Sequence, residues 1–292
     1  MVKLYCVAGH CFSIEFPNGV FPERFSNYEP FEIEFNSSSP IFNLSVSYSG
    51  IARPDELESV LVQRVPGESR LDLYSNQNIW FVEMSPLSDM DTVASLCVDK
   101  DFKNGSLYVS AKEYIRFAVD NAAMFMFAFS TSKLDTLEMH SSVIVHDGKA
   151  YMFLAKSGTG KSTHSRMWIQ NIPGTFLLND DNPAVRIMED GQVMVFGTPW
   201  SGKTPCYRNM SFPLGAMVRI SRSKSNSISR LSVLEAYALI SSSASGARFI
   251  DKIADGLHDT ISRIAIEQAS FVLNCRPDPE AAETCYNAVC NI

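Results

Sequence analysis

Ala155-Lys-Ser-Gly-Thr-Gly-Lys-Ser162 follows the apolar run Ala150-Tyr-Met-Phe-Leu154. It precedes a helix-compatible stretch, Thr163 to Gln170, that stops at Pro173-Gly174. The eight residues fit the pattern Ala/Gly-x-x-x-x-Gly-Lys-Ser/Thr, a phosphate-binding loop (P-loop, or Walker A motif) between a strand and a helix. Small residues at Ser157, Gly158 and Gly160 let the backbone curl, so that successive amides, including that of Thr159, point at one anion. Lys161 then reaches the β- and γ-phosphates, and the Ser162 hydroxyl joins a Mg²⁺ shell with Thr163 beside it. An ordinary glycine turn leaves the placing of Lys161 and Ser162 unexplained. The expected ligand is therefore a nucleotide phosphate.

Working outward, Ser142 to Leu154 carries Asp147-Gly148 between two apolar runs, and Ala184 to Phe196 repeats the device with Asp190-Gly191. Asp-Gly supplies the positive φ of a two-residue hairpin turn. The strand entering the loop is thus the second arm of an antiparallel hairpin, which predicts a mixed sheet. Thr175-Phe-Leu-Leu-Asn-Asp-Asp181 is an apolar strand ending in two carboxylates, one short helix beyond the loop. Neighbouring strand residues face opposite ways, but the chain bends at a strand end and both can approach one site. Asp180 is assigned to the metal and Asp181 to the base that takes a proton from an acceptor hydroxyl; the two roles are interchangeable on sequence alone. Gly197 to Asn209 reads as a shaped cationic loop. Lys203 and Arg208 are the candidates to meet charge on the moving phosphoryl group, and Trp200 is a candidate pocket wall. His140 reads as structural from the residues alone, and His164 as either packed or facing phosphate.

The remaining chain sets the frame. Residues 1–115 look β-rich, with strands at Phe31–Phe35, Asn78–Glu83 and Ser106–Ser110, a loop at Ser37–Pro40 and a short helix from Asp55 to Gln63. A helical segment from Ala111 to Ser130 leads into a second domain, residues 116–292. In it, Ser232-Val-Leu-Glu235 is a capping box, Asp259–Ala269 a helix, Ser270–Asn274 a strand, and Asp278-Pro279 the start of a last helix. Ser221–Arg230 reads as a flexible polar loop.

Composition narrows the class. A net charge of -7 argues against a nucleic-acid partner. The longest apolar run, Ala122–Phe129, is far short of the ~20 residues that span a bilayer. Met1–Ala8 reads as a first strand and not as an export signal. The 7 cysteines contain no Cys-x-x-Cys pair, which suggests reduced thiols in a cytoplasmic protein.

His140-Ser-Ser-Val-Ile-Val, Ser157-Gly-Thr-Gly-Lys-Ser-Thr163 and Leu177-Leu-Asn-Asp-Asp181, in that order, resemble the HPr kinase/phosphorylase family. Its wider relatives share a nucleotide site with ATP-dependent phosphoenolpyruvate carboxykinases. The resemblance spans roughly Ala118 to Val289. It implies an α/β, mixed-sheet P-loop kinase domain preceded by a smaller β-rich region, ATP with Mg²⁺, and an aspartate base acting on a hydroxyl. It also moves His140 into the active site. Ala155 stands where the first glycine is usual, and Thr163-His164 follow the loop where protein-directed kinases carry an acidic residue. ATP chemistry therefore carries over and the acceptor, a small molecule or a protein serine, stays open, as does assembly into a homo-oligomer. The alternatives are a nucleotide-binding regulatory module without turnover and a carboxykinase-like lyase.

Overall fold

A computed structural model describes residues 1–20, 22–34, 39–50, 53–62, 64–202 and 204–290. Among the described residues the protein is α/β, with two nine-stranded mixed sheets and five α-helices, and no helix is long and apolar enough to cross a membrane. The chain divides into two units, Met1–Ser130 and Thr131–Ile292.

The first unit is built on β1 (Val2–Val7), β2 (His10–Glu15), β3 (Glu32–Ile33), β4 (Asn43–Ser47), β5 (Glu58–Leu61), β6 (Arg70–Ser75), β7 (Ile79–Ser85), β8 (Ala94–Asp99) and β9 (Asn104–Val109). The strand order is β3-β1-β2-β4-β9-β8-β7-β6-β5. α1 (Ile115–Thr131) belongs to this unit. Its buried side chains include Ala118, Ala122, Met126 and Phe127. Phe127 meets Phe12 edge-on, and a Cβ on Gly105 would sit 2.5 Å from the Met126 sulfur. The dividing line therefore falls after α1 and not at the expected 115/116, because the helix spends its apolar face on the first sheet.

Two expectations in this unit are corrected. The segment Asp55–Gln63 forms no helix over its described residues: Glu58–Leu61 is an edge strand paired with β6, so cross-strand pairing overrides a helix-compatible composition. Gln63 lies outside the described residues. Phe31 closes a 3₁₀ turn, Glu29–Phe31, with Pro30 in its first turn, and only Glu32–Ile33 is strand. Phe35, Ser37 and Ser38 lie outside the described residues.

The second unit contains β10 (Thr136–Glu138), β11 (Ser141–His146), β12 (Lys149–Leu154), α2 (Lys161–Asn171), β13 (Phe176–Asp181), β14 (Ala184–Ile187), β15 (Val193–Phe196), β16 (Ser211–Arg222), β17 (Ser227–Arg230), α3 (Val233–Ser243), α4 (Asp251–Glu267), β18 (Ser270–Cys275) and α5 (Pro279–Val289). The order is β10-β14-β15-β16-β12-β11-β13, with β18 beside β16 and β17 beside β18. Trp168 of α2 and Ala281, Ala282 and Cys285 of α5 pack with Tyr151, Phe153, Val218 and Leu273 of the sheet. The Ser232 capping box and the Asp278 cap both form.

The first hairpin turns as its sequence predicts: Asp147 and Gly148 have φ of 45° and 72°. The second does not. Its loop is Glu189-Asp190-Gly191, closed by Gly191 N–H to Met188 O and Met188 N–H to Gln192 O, with positive φ at Gly191 and not at Asp190. This is the three-residue hairpin, a turn followed by one left-handed glycine. α4 starts eight residues before the expected Asp259, at Asp251. Gly256 dilutes the helical signal, yet a Cβ there would lie 2.3 Å from Ser132 O. Ser221–Arg230 is no loop either: Arg222 ends β16, and Ser227–Arg230 pairs with β18.

Strand directions then place the chemistry. β11 runs antiparallel to both β12 and β13, so β12 and β13 point the same way. Ser141 stands opposite Leu154 on one side and Asp181 on the other. β16 and β18 run parallel to β12 in turn, with Leu154 opposite Arg219 and Arg222 opposite Cys275. Hence the glycine-rich loop, the paired aspartates, His140 and Arg222 all emerge at one rim, the carboxyl ends of parallel strands, where open α/β sheets bind ligands.

Candidate functional site

The loop after β12 takes the conformation its glycines permit. Gly158 and Gly160 have φ of 74° and 129°, and added Cβ atoms would meet nothing within 4 Å. Backbone angle, not space, demands glycine there. The Thr159 N–H donates to Lys156 O, and the first helical bond of α2 is His164 N–H to Gly160 O. The amides of the first helical turn are therefore left for an anion.

Arg222 holds the loop from outside. Its Nε donates to Thr159 O at 3.1 Å and an Nη to Gly158 O at 2.5 Å. Arg222 thereby fixes these two peptide planes from outside, while the Thr159 amide, expected to face the anion, is spent on Lys156 O. The sequence reading missed this residue; its signal was the alternation of apolar Val218 and Ile220 with Arg219 and Ser221 just before it, which marks a strand.

Lys161 Nζ lies 2.7 Å from His140 Nε2 and 3.1 Å from Ala155 O. His140 Nδ1 lies 3.1 Å from Asp181 Oδ1. An ammonium only donates, so His140 accepts at Nε2 and donates from Nδ1 to the carboxylate. The imidazole thus links Lys161 to Asp181, and the lysine keeps a third N–H for a phosphate oxygen. Burial pushes the Lys161 ammonium below its ordinary value, while Asp181 and Asp180 hold it up in part.

Asp180 and Asp181 line one cavity of about 400 Å³ together with His140, Ser157, Gly158, Gly160, Lys161, Ser162 and Thr163. Asp180 is buried; Asp181 is half-exposed, and its neighbour Gly202 approaches the Asp180 carbonyl through a 2.8 Å hydrogen bond. No group of three or more His, Cys, Asp or Glu able to hold a metal occurs among the described residues. The donor set fits Mg²⁺ all the same, since that ion is held by one or two carboxylates plus substrate phosphates.

The other candidates fall elsewhere. Arg208 is exposed and lies over the Phe176 ring at 5.3 Å, at the opposite end of β13 from Asp181. Lys203 lies outside the described residues. Trp200 is buried in its own loop, with Thr198 Oγ1 accepting its amide, and forms no wall of this cavity. His164 is packed: Trp168 Nε1 donates to its Nε2 at 3.1 Å, Phe153 meets it edge-on, and burial pushes its pKa down to about 3.

No protein-family model matches the chain, and no curated protein sequence matches it. The resemblance to the HPr kinase/phosphorylase family therefore rests on the motifs alone.

Glu138 was not anticipated. It ends β10, two residues before His140, and is buried. Burial first, and the Asp181 charge second, push its carboxyl from 4.5 up to about 8. The unfolded chain releases this proton near 4.5 and the folded chain keeps it to about 8. The stability this group gives is complete below pH 4.5 and is lost as pH rises to about 8. In urea titrations from pH 5 to 8.5, Glu138→Gln is expected to flatten that decline; an unchanged pH slope would count against a raised carboxyl.

Proposed function

We propose that the protein is an ATP- and Mg²⁺-dependent kinase related to the HPr kinase/phosphorylase group, transferring a phosphoryl group to a hydroxyl. The observation that carries this reading is the linked series Lys161–His140–Asp181 at the mouth of a glycine-rich loop. Loop amides and Lys161 grip the β- and γ-phosphates, and Ser162 with Asp180 holds the Mg²⁺. The ion, when bound, offsets charge on the phosphate oxygens.

Asp181 takes the proton of the acceptor hydroxyl, and the freed oxygen forms a bond to the γ-phosphorus. The bond from that phosphorus to the β–γ bridging oxygen breaks, and ADP leaves. His140 keeps Asp181 aimed by donating to it. On the Thr163 side, a cavity of about 380 Å³ bounded by Met167, Ile220, Arg276 and Pro277 suits a nucleoside.

The test is a screen of purified protein with labelled ATP·Mg²⁺ against hydroxyl compounds and serine-containing proteins. One acceptor is expected to gain label in step with ADP release. ATP binding without transfer to any acceptor would favour the non-catalytic module instead, and oxaloacetate-dependent ATP consumption the lyase.

A further inference from the structure

A larger cavity of about 700 Å³ opens against the first half of the glycine-rich loop, Lys156 to Thr159. It shares His140, Ser157 and Gly158 with the carboxylate cavity and Gly158, Thr159, Ile220 and Arg222 with the Thr163 cavity, but includes neither Lys161 nor Thr163. His140 touches the lysine expected at the γ-phosphate, so this cavity borders the phosphoryl end of the nucleotide, whereas the Thr163 cavity borders the nucleoside end.

Its lining is one-sided in charge. Lys156, Arg219 and Arg222 contribute to it, Ser157, Ser221, Ser242 and Ser243 add hydroxyls, and no carboxylate is among its lining residues. Arg222 is committed to the loop carbonyls. The side chains of Lys156 and Arg219 are exposed and make no hydrogen bond or ion pair among the described residues, although Arg219 lies within electrostatic reach of Glu235. In a chain of net charge -7, two unspent cations facing one concave, hydroxyl-lined space are a local exception. The volume suits a small molecule.

We propose that this cavity is the acceptor site and that the acceptor is a small anionic hydroxy compound, a hydroxycarboxylate or a hydroxyalkyl phosphate. Its negative group is held by Arg219 and Lys156, and its hydroxyl is turned toward Asp181. This rests on the kinase reading, since an acceptor needs a donor.

The test loads the protein with ADP·Mg²⁺, which occupies the loop, and titrates malonate by calorimetry. Malonate is expected to bind saturably and to weaken about tenfold in Arg219→Gln and in Lys156→Gln. ADP affinity stays unchanged in Arg219→Gln, which shows that this variant folds. In the labelled-ATP screen every small acceptor is expected to be anionic, with Arg219→Gln raising its KM about tenfold and moving kcat little. ADP binding without saturable malonate binding, malonate binding indifferent to Arg219, or transfer to an uncharged polyol or a protein serine would overturn the acceptor assignment while leaving the kinase reading in place. Failure of ADP to bind would take down both.

Discussion

Lys161→Ala is expected to weaken ATP·Mg²⁺ binding by about 10- to 100-fold, the effect of deleting one charge-assisted contact of roughly 1.5–3 kcal/mol. The lysine is already oriented by His140 and Ala155 O, so little ordering is left for the nucleotide to impose. Its removal also deprives His140 Nε2 of the donor it faces. The fold should survive, because Lys161 opens α2 at the rim and is not part of the core around Trp168. Calorimetry on variant and wild type decides the matter: equal affinities would remove the nucleotide from this loop and, with it, every later step.

Asp181→Asn is the second large effect, and it separates chemistry from binding. An asparagine oxygen still accepts the His140 Nδ1–H that Asp181 accepts at 3.1 Å, so the linkage to Lys161 persists. A proton acceptor is lost. General-base catalysis contributes about 10²- to 10⁴-fold, and kcat is expected to fall by that order with ATP affinity nearly unchanged. Full turnover in Asp181→Asn together with loss in Asp180→Asn would exchange the two roles. Full turnover in both would end the assignment of a base to this pair.

Much of this was legible in the chain because local signals agreed with the fold. Asp147-Gly148 set the turn, the apolar runs set both arms, and the loop pattern named its own lysine and serine. The paired aspartates could be placed at a strand end because a strand-length apolar run precedes them. What stayed hidden depends on contacts between distant segments. Glu138 gains its raised carboxyl only where β10 meets β14 and Asp181 approaches. Arg222 becomes a loop support only because β16 runs parallel to β12 and continues three residues past its end, from Arg219 opposite Leu154 to Arg222. Arg208 looked useful for its charge, but nothing in the sequence pattern of Gly197–Asn209 sets a register, and Phe176 holds it at the far end of β13 from Asp181. The helix expected over Asp55–Gln63 failed for the same reason, since an edge strand is defined by the partner it finds.

The type of turn at Asp147-Gly148 has a consequence at the opposite rim. β11 spans six residues, about 20 Å of extended chain. Its alignment fixes which side chains stand level with Leu154 and Asp181, and a one-residue slip reverses every one of them. A bulky replacement at Gly148 therefore threatens chemistry it never touches. Anyone transplanting this rim into another scaffold would have to carry the distant bend along with it.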